Sequence, residues 1–325
     1  MYQALHYDFR NKTCHLRDDK QGWLSFEYQP TYYKLDPDGE YETLDGKKVS
    51  PTYTCDKNDP LTYYEIDIPM ETRVLVDAYK DLDNAPDYHN ILFLDIECEI
   101  GGALTTEYIK SAPMKITSIA LYDVTLKKYY CLVLDEKKQL KYTHENNKEI
   151  IPCDNEADLL SKFINLWVDA DPTIVTGWNS EFFDIPYLYH RICKVLGETE
   201  AKKLSPLGIA NVRDFFNKKT QTNESVVNIA GVNHLDYMLL HKKYIMKQES
   251  SYKLGDIGEK YVKLGKIEYE GSLDKLFKED VNKFIEYNLR DVEILIKLDE
   301  KLQFINLTVN ICHLCHTPYE NIYYS

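Results

Sequence analysis

Acidic residues fall on alternate positions of an apolar run at residues 91–100, ILFLDIECEI: Asp95, Glu97 and Glu99. Such a run reads as a buried strand, where even a neutral polar group costs roughly 2 to 7 kcal/mol unless something compensates. The usual compensator for several acids together is a cation. Residues i and i+2 of a strand face the same way about 6.6 Å apart, so Asp95 and Glu97 project from one face and can bracket one divalent ion. Glu99 would continue that face, but Gly101-Gly102 ends the strand and leaves Glu99 exposed. Asp184 stands in TGWNSEFFDIPYL, where a strand runs into a helix, the kind of corner at which α/β sheets gather ligands. Tyr287 and Asp291, in YNLRD, are four apart on one helical face, about 6 Å from each other and beside the apolar stripe, placed to address one water. Taken singly, each has an ordinary reading: a solvated strand end for Asp95 and Glu97, a helix N-cap for Asp184, a surface ion pair with Arg290 or a lysine for Asp291.

The elements that must position these residues are legible in outline. Residues 1–90 are rich in Tyr, Thr and Asp, with turn signals at Asp38-Gly39 and Asp45-Gly46, and predict a β-rich N-terminal domain. From Ile91 strands interleave with helices. ILFLDIE, KITSIALYDV and KKYYCLVLD are three successive strands of a meander, after which Asn155 caps a helix with Leu159, Leu160, Phe163, Leu166 and Trp167 at helical spacing. The strand TIVTGW and the helix DIPYLYHRICKVLG, stopped by Gly197, add a parallel part to the central sheet. Residues 208–231 read as a β-hairpin with a basic tip, NKKTQTNES. Short helices follow in NHLDYMLLHKKYI and YKLGDIGEKYVKL. The long helix KEDVNKFIEYNLRDVEILIKLDEKLQ carries Val281, Phe284, Ile285, Leu289, Val292, Leu295 and Ile296 as its core stripe.

At 325 residues the chain is long enough for two domains, and its net charge of −14 excludes a protein that grips nucleic acid over its whole surface. Residues 1–90 hold 10 Lys and Arg against 18 Asp and Glu, whereas residues 191–283 hold 17 against 13, so a polyanion is expected to meet the second half. The eight cysteines are scattered, no signal-peptide pattern opens the sequence, and no apolar stretch nears the roughly 18 residues of a membrane span. The reading is a soluble protein of a reducing, cytoplasmic compartment with no membrane partner. CHLCH, residues 312–316, matches a haem-attachment pattern, but without an export signal, or a second sulfur pair for zinc, it reads as small side chains under a C-terminal tail.

In their order along the chain, D-x-E on a strand, N-x3-F-D at a strand-to-helix corner and Y-x3-D on a later helix resemble the three motifs of the DEDD 3′–5′ exonucleases, in the variant with Tyr. The proofreading part of family B DNA polymerases, especially of T4-like phages, is more closely similar. DPTIVTGWNSEFFDIPYLYHRI, LGETEAKKLSPLG, GVNHLDYMLLHKKY and YNLRDVEILIKLDEKL carry the likeness, and FEYQPTYYKL and LDGKKV carry it more faintly, over nearly the whole chain. The resemblance implies an α/β, ribonuclease-H-like exonuclease domain with a mixed central sheet over residues 91–302, preceded by the β-rich domain of residues 1–90. It implies that Asp95, Glu97, Asp184 and Asp291 hold two divalent ions, Mg²⁺ or Mn²⁺, a choice that suits hard cations and oxygen ligands. By the same resemblance Tyr287 orients the attacking water, Asn179 and Phe183 contact the terminal nucleotides, and the hairpin helps pass a primer strand between sites. The loop CEIGGALTTEY lacks the Phe that the family would set against the terminal base, and Leu104 stands in for it. The expected substrate is the 3′ end of single-stranded DNA or a frayed primer-template, its bases stacking on aromatic side chains.

The SLYPS-like and Y-x-D-T-D-like motifs of a polymerase palm do not occur in these 325 residues. The expectation is therefore a proofreading exonuclease that does not synthesise DNA alone. It would be a fragment, or one subunit of a split polymerase in a phage- or virus-infected host cell, its partners a palm-containing polypeptide and other replisome proteins. Residues 303–325 would form a tail leading toward the absent palm. Two other readings are an autonomous DEDD exonuclease acting on RNA and a non-catalytic module binding nucleic acid or a polymerase; the complete acid set stands against the second.

Overall fold

A computed structural model describes all residues except Asp83, Lys219, Thr220 and Ser325, with Tyr324 described by its backbone alone. The chain divides into two units, Met1–Asp87 with Val309–Asn321, and Tyr88–Thr308 with Ile322–Ser325. In the first, β1 (Tyr2–Asp8), β2 (Thr13–Asp18) and β3 (Gly22–Glu27) form an antiparallel sheet in the order β1-β2-β3. A second sheet, in the order β5-β6-β4-β7, is made by β4 (Tyr32–Leu35), β5 (Tyr41–Glu42), β6 (Lys48–Thr52) and β7 (Tyr63–Tyr64). Helix α1 (Met70–Tyr79) follows, and Tyr79 donates a hydrogen bond to Asp18 at 2.9 Å. His313 of the CHLCH stretch belongs to this unit's core: its ring stacks on Tyr2 with centroids 3.9 Å apart, and its Nε2 lies 2.8 Å from the Tyr319 hydroxyl. Cys312 is buried and Cys315 exposed, and both are free thiols.

The second unit begins with the meander that the sequence predicts. Strand β8 (Ile91–Cys98) pairs antiparallel with β9 (Ile116–Asp123), and β9 with β10 (Lys128–Leu134), the short helix α2 (Thr106–Ser111) filling the first connection. A hairpin of β11 (Thr143–Glu145) and β12 (Lys148–Cys153) comes next, with β12 parallel to β10; its polar, interrupted sequence gave no strand signal. Asn155 caps α3 (Glu156–Ala170), its side chain accepting from the Asp158 N–H. Strand β13 (Ile174–Thr176) returns parallel to β8, and helices α4 (Asp184–Val195) and α5 (Glu198–Ala201) follow. Strands β14 (Ala210–Asn217) and β15 (Thr222–Ile229) form the expected hairpin, while Lys219 and Thr220 of its tip lie outside the described residues. A two-residue strand, β16 (Asn233–His234), pairs parallel to β13 and precedes α6 (Tyr237–Tyr244), α7 (Leu254–Val262), α8 (Leu273–Glu279), α9 (Val281–Leu302) and α10 (Phe304–Leu314), whose residues from Val309 onward belong to the first unit. The result is a mixed α/β architecture with a seven-stranded sheet in the order β11-β12-β10-β9-β8-β13-β16.

Strand β8 is interior to that sheet, and its two faces differ. Leu92, Leu94 and Ile96 point into a core shared with Leu159, Phe163 and Trp167 of α3 and Ile185 and Leu188 of α4. Each such side chain, fully buried, contributes about 1.5–3 kcal/mol. Phe93, Asp95 and Glu97 take the opposite face, against which α9 packs. A buried ion pair fixes α3 and α4 behind the sheet. Arg191 donates to Glu156 through Nε at 2.7 Å and through its terminal nitrogen at 2.5 Å, and Glu156 also accepts the Ile116 N–H at 2.8 Å. Among the described residues no helix is long and apolar enough to cross a membrane.

Candidate active site

Strand β13 is short, and its shortness makes the site. Its pairing with β8 ends at Thr176 opposite Phe93, so Leu94–Cys98 runs on without a backbone partner on that side. Gly177 then turns the chain so closely past β8 that an added Cβ would lie 2.8 Å from the Leu94 carbonyl. The backbone N–H of Ile96, left without a strand, is taken by Asp184 Oδ1 at 3.1 Å. The sequence allowed Asp184 to be an N-cap, and the structure corrects this. Phe183 holds the cap position with no side-chain hydrogen bond, while Asp184 is the first residue of α4 and turns its carboxylate to β8 instead.

Helix α9 supplies the other side. The sequence placed Tyr287 and Asp291 beside the apolar stripe; both are buried, at 8% and 1% exposure, because α9 is enclosed by the sheet, α7 and α8. Oxygen atoms of Asp95, Glu97 and Asp291 all lie within 4.8 Å of one another. Burial, and then the neighbouring carboxylates, push Asp95 well above the usual range and Glu97 up to about 8. Burial likewise pushes Asp184 up to about 7, against the opposing Ile96 N–H, and raises Asp291. Three carboxylates this close repel one another, and the charge they hold between them has to be balanced from outside the set.

Part of that balance is a residue that sequence reasoning missed. Lys266, between α7 and α8, donates to Asp291 Oδ2 and, at 3.1 Å, to the Tyr287 hydroxyl. Burial pulls its ammonium down, but Asp291 and Asp95 outweigh that and leave it raised, as Tyr287 is raised to about 12. Gly255 of α7 leaves room for the lysine stem, since a Cβ there would come within 3.1 Å of Lys266 Cγ. A glycine inside a helical pattern is the one sequence signal that something approaches closely there. The other oxygen of Asp291, Oδ1, is buried and has no hydrogen-bond partner among the described residues. An orphaned carboxylate oxygen on a residue whose carboxylate closes with two more is a donor set that fits a hard divalent cation.

The corner between β13 and α4 is braced separately. Asp236, fully buried, accepts the N–H groups of Asn179 and Glu181 as well as those of Met238 and Leu239 at the start of α6. This holds Asn179 in a left-handed conformation, φ 65°, half-buried like its neighbour Phe183, whose ring lies 5.6 Å from that of Tyr187. Ser180, His234 and Glu181 have the spacings of an acyl-transfer triad, 2.8 and 2.7 Å, but Ser180 is 1% exposed and no substrate reaches its hydroxyl; the set is a brace. Leu104 is 66% exposed, just ahead of α2, whose N-cap Thr105 accepts from the Tyr108 N–H. Glu99 is half-buried rather than exposed, its N–H bonded to the Lys115 carbonyl.

The DNA polymerase family B exonuclease-domain profile matches residues 40–257. The chain belongs to family B of the DNA polymerases. Within the family it is 28% identical over 334 aligned positions to the DNA-directed DNA polymerase of Enterobacteria phage T4, covering 93% of this chain and 37% of that protein. The DNA-directed DNA polymerase of Escherichia phage RB69 is 36% identical over 173 residues, 53% of this chain and 19% of its own length. The DNA polymerase delta catalytic subunit of Plasmodium falciparum is 26% identical over 288 residues, 82% of this chain and 25% of its own. The chain thus spans well under half the length of these family B relatives.

Proposed function

We propose that this chain is the proofreading 3′–5′ exonuclease part of a family B DNA polymerase, acting on single-stranded or frayed DNA and releasing nucleoside monophosphates. The observation that carries the reading is the convergence of Asp95, Glu97 and Asp291 within 4.8 Å of one another. These three and Asp184 would hold two divalent ions, Mg²⁺ or Mn²⁺, which when bound would activate water and neutralise charge on the phosphate. The rest falls to the chain's own residues. Tyr287, its ring and hydroxyl steadied by Lys266, orients the water that attacks phosphorus in line with the departing 3′ oxygen. As the P–O bond to water forms, the P–O3′ bond breaks; the water gives its proton to solvent, and the departing 3′ oxygen takes one from solvent. Asn179 and Phe183 at the braced corner and Leu104 at the rim contact the last nucleotides, which an exonuclease must hold unstacked. The hairpin β14–β15 guides the primer strand. Its anchors are visible: Lys110 of α2 donates to Asp214 of β14 at 2.6 Å, and Thr106 to the Asn223 carbonyl. Residues 1–90 act as a β-rich domain ahead of the exonuclease domain, and the partner is a palm-bearing polypeptide, continuous with this chain or separate.

The test is directional. With Mg²⁺, a 5′-labelled single-stranded DNA is expected to shorten in single-nucleotide steps from its 3′ end, faster than RNA of the same sequence. Internal cleavage, or a preference for RNA, would sink the assignment.

A further inference from the structure

Asn288 of α9 reaches Asp95 of β8, and neither the attack nor the ion set uses it. Its side chain is fully buried, in the interior of a helix, where Asn is a poor choice unless its amide has something to do. Asn288 Nδ2 donates to Asp95 Oδ2 at 2.7 Å. Its Oδ1 accepts from the hydroxyl of Ser118 on β9 at 2.6 Å, and Ser118 Oγ lies 3.4 Å from the Cys131 sulfur on β10. Ser118 and Cys131 are likewise fully buried. Ser118 has one hydroxyl proton and gives it to Asn288, so in the contact with Cys131 the thiol is the donor. The donations therefore run one way, from Cys131 to Ser118 to Asn288 to Asp95, with each group's acceptor filled by the group before it.

We infer that Asn288 is a positioning residue for the ion site: Ser118 fixes which end of its amide faces Asp95, and the amide fixes the Asp95 carboxylate before any ion arrives. The inference rests on the reading of the acids as an ion site. Because Asn288 is one residue from Tyr287 and three from Asp291 on the same helix, the bond also sets how α9 docks on β8. Outer partners of metal-binding carboxylates are worth about 10- to 100-fold in affinity. Without Asn288, Asp95 would swing toward whichever neighbour it repelled least.

The experiment is Mn²⁺ titration by calorimetry on the whole chain, with melting curves to show that each variant is folded. N288L, close to isosteric but without a donor, is expected to weaken Mn²⁺ binding about 10- to 100-fold. S118A frees the amide to flip and is expected to weaken it less. In the double variant the S118A effect should vanish, since Ser118 acts only through Asn288; a merely structural role would make the two losses add. Wild-type Mn²⁺ affinity in folded N288L overturns the inference while leaving the exonuclease reading intact. Should N288L fail to fold, unchanged affinity in S118A overturns it instead. Absence of Mn²⁺ binding in the unmodified chain overturns both.

Discussion

At the scale of single residues, the site is a set of acids held above their ordinary pKa by burial and by one another. Glu97 is raised from 4.5 to about 8 and Asp184 from 3.8 to about 7. The sign of the consequence is fixed by linkage. Between its ordinary value and the raised one, each acid keeps its proton in the folded chain and has lost it in the unfolded chain. Stability is therefore complete at low pH and declines as pH climbs through that window. Divalent ions held as proposed would reverse the decline, because they would bind the deprotonated carboxylates and only in the folded chain. In a chelator, the melting temperature of the native chain minus that of E97Q is expected to fall from pH 4.5 to about 8, with Mn²⁺ restoring it at the upper end. A difference that stays level across that range would show that Glu97 is not raised. Asp95 and Glu97 stand out in the sequence because strand alternation puts acids in an apolar run, whereas Asp184 and Asp291 have ordinary readings taken singly and join them only through the family resemblance. Lys266 was not, since a lysine in a polar loop has no pattern to depart from; only Gly255, silent until the stem beside it is seen, marked its place.

At the scale of elements, the site is a product of mismatched lengths. β8 outruns β13, and the unpaired stretch is met by Asp184 from a helix start that its neighbours hold rigid. The meander, the hairpin and helices α3 and α4 follow from local sequence: apolar runs, an Asn cap, a glycine stop. Strands β11 and β16 escaped notice because they are only three and two residues long and complete the sheet edges, and β12 because its apolar run Ile150–Ile151 is cut short by Pro152. The Arg191–Glu156 pair shows how the elements behind the sheet are fixed. Replacing Arg191 with Met would leave a buried carboxylate with one backbone N–H, and removal of one partner from such a pair costs about 3–5 kcal/mol. Urea unfolding of R191M is expected to show a loss of that order. A change within the error of the measurement would mean that α3 and α4 are held by apolar packing alone.

At the scale of the whole molecule, charge and family support the proposal that a nucleic-acid end is acted on. The acidic first ninety residues and the basic excess of residues 191–283 favour attraction of a phosphate backbone to the part of the chain that carries the carboxylate cluster. The division into units was less legible. The hydroxyl of Tyr2 donates to the Thr317 carbonyl at 2.8 Å, joining residues 315 apart, and no local pattern signals a return across such a distance. Residues 303–325 therefore read as a tail, whereas Val309–Asn321 packs with residues 1–87.

As proposed, the carboxylates of β8 and α9 form a divalent-ion site that hydrolyses DNA from its 3′ end. The most direct measurement compares the native chain with a variant carrying Asp95→Ala and Glu97→Ala on a 5′-labelled single-stranded oligonucleotide in Mg²⁺. Loss of degradation by at least about a thousandfold in a variant that still folds is the expected result, since removing both strand carboxylates takes several kcal/mol of charge stabilisation from the reaction. Degradation at the native rate by that variant would contradict the account.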